Sequence, residues 1–256
     1  KIENTEVQVN QVSPKEMLKQ AYQLFKEGKD EESIEIANKV LEIGRAENND
    51  TLIGGALSSL CRNSQRNLDT TRLAELSDEL VKLSESSGNK EWLMKRAHMN
   101  AEMWRLIGNM DKAEHFYDES MQISNEIGSK GMYMIDHFNK SFVSTAKGNY
   151  EEANSLIKRY YELREEAGYK PDDAYGLIAL AYLLEQQENY KGAHEVATVT
   201  RRLFTEQNIF PEPPDEKPLL AVEKKVQDVL NKGELSQIGK ESVNLSVSDL
   251  LEKYLK

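Results

Sequence analysis

The sequence predicts an all-α protein, a right-handed α-solenoid of about five helix pairs with a C-terminal helical cap. Three observations carry that expectation. Five sets of residues recur at a spacing of 40 without a gap. Within each block the apolar positions fall on one face of a helix. Glycine and proline are scarce, 14 and 6 in 256 residues, where a strand-and-hairpin chain would need them at every turn.

Residues 1–12 show no periodicity and are expected to form a tail. Ser13-Pro14-Lys15-Glu16 is a helix start: Ser13 caps, Pro14 suits the first helical position and Glu16 completes a capping box. The repeat array follows over residues 13–208. Its turn is clearest in Gly108-Asn109-Met110-Asp111-Lys112-Ala113, echoed 40 residues later by Gly148-Asn149-Tyr150-Glu151-Glu152-Ala153 and then by Glu188-Asn189-Tyr190-Lys191-Gly192-Ala193. Gly28-Lys29-Asp30-Glu31-Glu32-Ser33 is the turn of the first unit, and Leu68-Asp69-Thr70-Thr71-Arg72-Leu73 is the most degenerate copy.

Other columns keep that register. Ala21, Cys61, Ala101, Ser141 and Ala181 are small, which lets paired helices approach closely. Ile36, Leu76, Phe116, Leu156 and Val196 form an apolar column, as do Ile43, Leu83, Ile123, Leu163 and Leu203. Asn48, Gly88, Gly128, Gly168 and Asn208 put residues that tolerate a left-handed backbone where second helices should end. In the third unit Leu93, Ala97, Ala101 and Trp104 fall at i, i+4, i+8 and i+11, and Phe116, Ser120 and Ile123 at i, i+4 and i+7. Each unit therefore reads as helix, short turn, helix.

These residues resemble the tetratricopeptide repeat, whose signature is a small residue in the first helix, a Gly-Asp/Asn-Tyr turn and a small residue opening the second. Ala101 with Gly108-Asn109-Met110 and Ala113 fits, and Ser141 with Gly148-Asn149-Tyr150 and Ala153 fits better. The resemblance spans roughly residues 13–208. The family period is about 34 residues, so the spacing of 40 implies longer helices. The proline that usually closes a repeat is missing. Repeats of this length resemble the sensor arrays of bacterial signalling proteins.

After Asn208, four of the six prolines fall at Pro211, Pro213, Pro214 and Pro218, and residues 209–218 are expected to form a connector. A cap is expected over 219–256. Leu219 to Leu230 reads as a helix with Leu220, Val222, Val226 and Val229 on its apolar side, ended by Gly233. A loop through Gly239-Lys240 and a last helix from Ser248 to Leu255 follow, with Ser246 or Ser248 as cap. The stretch from Gly192-Ala193-His194-Glu195 through Pro213-Pro214 and Gly239-Lys240 to Leu245-Ser246-Val247 resembles the closing segment of helical-repeat arrays in large signal-transduction ATPases. That resemblance covers roughly residues 175–256 and implies the C-terminal sensor piece of a longer protein. A first residue that is Lys1, not Met, fits a fragment or a processed product.

Composition narrows the chemistry. With 33 Lys+Arg against 44 Asp+Glu, the formal charge of −11 argues against direct nucleic-acid binding. No run of 18 apolar residues is present, so no membrane contact is expected. No signal peptide opens the chain, and a single cysteine fits a reducing, cytoplasmic setting. Gly233 to Gly239-Lys240 is not a phosphate-binding loop: five residues separate the glycines and Glu241 replaces the required Ser/Thr. His98, His115, His137 and His194 are never four residues apart, and no metal or cofactor is expected. Cys61 reads as a small core residue. Acidic pairs such as Glu151-Glu152 and Glu165-Glu166 read as solvated helix surface. No enzymatic activity is expected.

What remains is a binding surface. The resemblance implies that first helices line a concave groove. By register that face carries Tyr22, Phe25, Arg62, Arg66, Lys95, His98, Arg105, Phe138, Phe142, Tyr175 and Tyr182. One reading is a cationic centre between aromatic walls, taking a peptide, a protein segment or a small anionic effector. The other is that aromatics such as Phe142 are inter-repeat packing and the arginines pair with the chain's own acids. The expected role is a binding module, the sensor or interaction domain of a regulatory protein. A passive assembly scaffold and a fragment of a peptide-pheromone receptor are the alternatives.

Overall fold

The computed structural model of the protein describes residues 12–170, 173–209, 211 and 213–255. Among these are thirteen α-helices and no strand. In order they are α1 Pro14–Lys26, α2 Asp30–Ala46, α3 Asp50–Arg66, α4 Thr70–Ser87, α5 Glu91–Ile107, α6 Met110–Glu126 and α7 Lys130–Ala146. Then come α8 Tyr150–Glu166, α9 Tyr175–Gln186, α10 Tyr190–Glu206, α11 Pro213–Val229, α12 Lys232–Glu241 and α13 Val247–Tyr254. The fold class is an all-α solenoid of helix pairs. The chain divides into two compact units, Lys1–Met103 and Trp104–Lys256, with the boundary inside α5.

In the N-terminal unit α1 packs on α2, α2 on α3 and α3 on α4, and α1 also packs on α3, the next first helix. The small column explains that closeness: Ala21, Cys61 and Ala101 have no exposed surface. Leu57, Leu73, Leu76 and Leu80 fill the core around them. A polar chain crosses the interior. The Asn63 amide donates to Ser33 Oγ at 3.2 Å, and Ser33 Oγ donates to the Ala21 carbonyl at 2.8 Å. Gly54 is small for a packing reason, since a Cβ there would lie 2.3 Å from the Trp92 indole.

The C-terminal unit repeats the scheme with larger residues. Ser141 and Ala181 are fully buried, and α7 packs on α9 as α1 does on α3. Leu177, Ile178, Leu180 and Leu183 of α9 are enclosed by α7, α8, α10 and α11. Gly176 makes room for Tyr161, whose ring a Cβ would meet at 2.5 Å.

One turn builds nearly every corner, and it recurs every 20 residues, not every 40. After α5 the Gly108 backbone has φ 93°, and Asn109 N–H returns to the Trp104 carbonyl at 2.9 Å, which closes a Schellman-type cap. The Asn109 side chain then accepts from Lys112 N–H and caps α6. Asn48, Gly88, Gly128, Gly168 and Asn208 all have positive φ, as their column predicts. The first-helix ends do the same at Gly28, Leu68, Gly108, Gly148 and Glu188, so two of these positions hold the left-handed conformation without glycine. Both lie in copies of the turn that had drifted from its glycine.

The C-terminal segment departs from expectation. The proposed connector 209–218 already contains the start of α11, which begins at Pro213. A helix's first turn has no intrahelical N–H bonds to lose, so prolines are tolerated there, and Pro218 disturbs only the next turn. The buried face of α11 is Leu219, Val222 and Val226, at i, i+3 and i+7. Leu220 and Val229, expected on that side, are exposed. Gly233 does not end a helix and Gly239-Lys240 is not in a loop: both lie in α12, which Asn231 opens through a capping box with Glu234. The last helix starts at Val247, capped by Ser246 through a capping box with Asp249. The expected tail covers residues 1–12, of which only Val12 is among the described residues.

Candidate functional site

The first-helix face of the N-terminal unit gathers four of the expected groove residues. Tyr22 and Phe25 stand one turn apart on α1, their rings stacked with centroids 6.4 Å apart. Arg62 and Arg66 stand one turn apart on α3. The Arg62 guanidinium lies 4.8 Å from the Tyr22 ring centroid and 5.7 Å from that of Phe25. Arg66 lies 3.4 Å over the Phe25 ring. The two arginines differ in what their N–H groups do. Arg66 donates to the Phe25 carbonyl and, at 2.8 Å, to Asp30 Oδ1. Arg62 has no carboxylate partner among the described residues. Burial pulls its guanidinium below its usual pKa, with the charge of Arg66 adding to that effect, yet arginine stays protonated. Tyr22 is 46% exposed, so the patch opens to solvent.

Lys95 and His98 also belong to this unit, on α5, and both are half-buried. Lys95 pairs with Glu91 of its own helix at 2.7 Å and sits 4.9 Å from the Trp92 ring. Its charge is therefore answered locally.

The remaining expected residues lie in the C-terminal unit, where aromatics meet one another. Phe138 and Phe142 pack edge to face at 5.1 Å, Phe138 meets Tyr160 at 5.3 Å, and Phe142 stacks on Tyr182 at 6.0 Å. Arg105 lies 5.6 Å from the Phe142 ring and its Nε donates to the Tyr117 hydroxyl at 3.2 Å. Tyr175 packs edge to face on Phe204 at 5.5 Å. Phe142 is only 7% exposed.

The sequence reading missed a network at the α8–α9 corner. Asp173 Oδ2 accepts from the Tyr160 hydroxyl at 2.7 Å and from Gly176 N–H at 3.2 Å, and its carbonyl accepts from the Tyr161 hydroxyl at 2.9 Å. Burial and the adjacent Asp173 raise both phenols well above their usual range. The register puts the start of α9 near 170, yet the helix begins at Tyr175, and Asp173 lies in the gap. It missed Lys140 as well, a buried cation held by Asp118 at 2.7 Å and Glu152 at 2.9 Å.

Other chemistries find little support. Among the described residues no group of three His, Cys, Asp or Glu is placed to hold a metal. No described helix is long and apolar enough to cross a membrane. Burial pushes the Cys61 thiol up to about 12, so it carries no thiolate near neutrality.

No family model and no curated protein sequence matches this chain. Among solved structures it is similar to nearly identical TPR-like repeats from Podosopora anserina, with a TM-score of 0.55 and 14% identity over 77% of this chain and 99% of that one. A Q17M form of those repeats superposes with a TM-score of 0.56 at 14% identity, over 76% and 95% of the two chains. The likeness shows the fold, a solenoid of TPR-like repeats.

Proposed function

We propose that this chain is a non-enzymatic protein-interaction module that engages an acidic peptide segment through the first-helix face of its N-terminal unit. One observation carries the reading: Arg62 is half-buried and fixed against two rings, yet none of the carboxylates among the described residues pairs with it. A guanidinium held in this way has little entropy left to lose on binding, and its planar fork suits a carboxylate. Tyr22 and Phe25 would supply the apolar contact beside the ion pair. As the sensor of a cytoplasmic regulatory protein, the module would act by population shift, the peptide favouring whichever arrangement binds it better.

The test is a selection from a library of short acidic peptides, followed by fluorescence anisotropy on the best binder. Arg62→Ala should weaken binding by about 1.5–3 kcal/mol, since a charge-assisted hydrogen bond is lost. Arg62→Lys should recover only part of it, and added salt should weaken the parent more than the variant. Peptides that bind Arg62→Ala and parent equally would move the contact elsewhere and favour a scaffold that uses other surfaces.

A further inference from the structure

A well-formed cleft apart from that patch lies in the C-terminal unit, between α8 and α13. Its volume is about 310 Å³. Two helix faces make it. α8 contributes Lys158, Tyr161, Glu162 and Glu165, and α13 contributes Ser248, Leu251 and Glu252, with Leu255 just past its end. The α8 set runs i, i+3, i+4 and i+7 and the α13 set i, i+3 and i+4, so each is one continuous stripe. Lys170 of the α8–α9 corner and Arg164 complete the lining.

The cleft is built in advance. Its floor is the Tyr161 ring with Leu251 and Leu255, and Tyr161 cannot swing away. Gly176 presses against its ring, and its hydroxyl is committed to the Asp173 carbonyl. The opposite wall is fixed through α10, where Glu195 accepts from Lys253 at 2.7 Å and from the Tyr254 hydroxyl at 2.6 Å. The Arg202 guanidinium donates to the Leu245 carbonyl just before α13.

The charges at the rim divide into committed and uncommitted groups. Glu162 is answered by Arg159 at 3.1 Å. Arg164 faces Asp173 at 3.7 Å and the Tyr160 and Tyr169 rings. Among the described residues Lys158, Lys170, Glu165 and Glu252 pair with no opposite charge and lie exposed at the cleft. That leaves two cations and two anions around an apolar floor. An anion would meet repulsion from one half of the rim and a cation from the other. A molecule with both charges and an apolar side chain satisfies all of it. The volume is at the lower end of ligand pockets, about 300–1,000 Å³, so the ligand is small.

We propose that the α8–α13 cleft binds a hydrophobic amino acid in its zwitterionic form. The side chain rests on Tyr161, Leu251 and Leu255, the carboxylate faces the lysines, and the ammonium faces Glu165 and Glu252. This site is separate from the Arg62 patch and stands whether or not that patch binds peptide.

Isothermal titration of the full chain with L-leucine and L-phenylalanine tests it. Saturable binding of at least one, one molecule per chain, is expected. N-acetylation, which removes the ammonium, and amidation, which removes the carboxylate, should each weaken binding at least about tenfold. Leu251→Gln should do the same with an unchanged circular dichroism spectrum. Should that variant fail to fold, Lys158→Ala and Glu252→Ala lie at the surface and should each lower affinity several-fold. No heat with either amino acid overturns the proposal. So does equal binding of the blocked forms, or parent-like affinity in the cleft variants.

Discussion

Tyr22 in the N-terminal unit and Phe142 in the C-terminal unit occupy the same column of the repeat, yet one is 46% exposed and the other 7%. Around Tyr22 the neighbours are the Arg62 guanidinium at 4.8 Å, the Lys26 ammonium at 5.1 Å and the Phe25 ring at 6.4 Å from its centroid, and they leave it half open. Around Phe142 the neighbours are Phe138 and Tyr182, which close over it. A register position therefore fixes which way a side chain leaves its helix but not whether water reaches it. Neighbouring columns decide that, by the size and charge of what they carry.

The largest expected effect breaks this comparison directly. Phe142→Ala should destabilise the protein by about 3–5 kcal/mol, the cost of an emptied aromatic site. Tyr22→Ala should cost about 1 kcal/mol or less, because it forfeits cation–π contacts at an exposed position. Equal losses in urea denaturation would mean that the two faces are packed alike.

Glycines inside helices sharpen it. Gly176→Ala would drive a Cβ to 2.5 Å from Tyr161, and Gly54→Ala would do the same against Trp92 at 2.3 Å. Both should destabilise by about 1–3 kcal/mol despite alanine's better helix propensity. Gly131 in α7 has nothing within 4 Å of its would-be Cβ, so Gly131→Ala should stabilise by about 0.5–1 kcal/mol. Thermal melts of the three variants are enough to check the signs.

Much of this architecture was legible. The small column is buried wherever it occurs, and the Gly/Asn column has positive φ throughout, because both follow from backbone geometry that repeats with the chain. The second positive-φ column was harder to see, since Leu68 and Glu188 interrupt its glycines. α12 was hidden by Gly233 and Gly239, although Asn231 and Glu234 carried the capping box that announces a helix. The site was only half legible. Four of the expected residues assemble on α1 and α3, but which arginine keeps an acid depends on Asp30, on another helix altogether. Asp173 was unreadable as an anchor because its partners are three residues and a full helix away.

The units also differ in how they hold a buried charge, and acid should reveal it. Glu152 is desolvated, which alone would raise its pKa, but Lys140 and the Ser144 hydroxyl outweigh that and lower it from 4.5. A depressed carboxylate contributes stability that is present above its unfolded value and is lost as pH falls through its folded one. Glu152→Gln should therefore be less stable than the parent near pH 7, with the gap narrowing below about pH 4.5 as the parent loses its advantage. Urea titrations between pH 7 and 3 measure it. A gap that stays constant would show that Lys140 draws its support from Asp118.

The smallest effect lies at the turn column, where Leu68 in the N-terminal unit stands opposite in kind to Gly148 in the C-terminal one. Both have positive φ, 53° and 78°. An L-residue with a Cβ is strained there by about 1–2 kcal/mol, and glycine is not. Leu68 is 48% exposed, so its side chain returns little packing to offset the strain. Glycine in exchange loses more freedom on folding, which takes back about 0.4–1 kcal/mol. The balance predicts that Leu68→Gly stabilises by about 0.5 kcal/mol, while Gly148→Leu destabilises by at least that much in a turn with the same hydrogen bonds. Those bonds are Asp69 N–H to Ser64 at 2.9 Å and Asn149 N–H to Ser144 at 2.8 Å. If Leu68→Gly instead lowers the melting temperature, its half-exposed side chain packs more than its surface suggests, and the second unit of the array tolerates drift in its turn because leucine itself holds the corner.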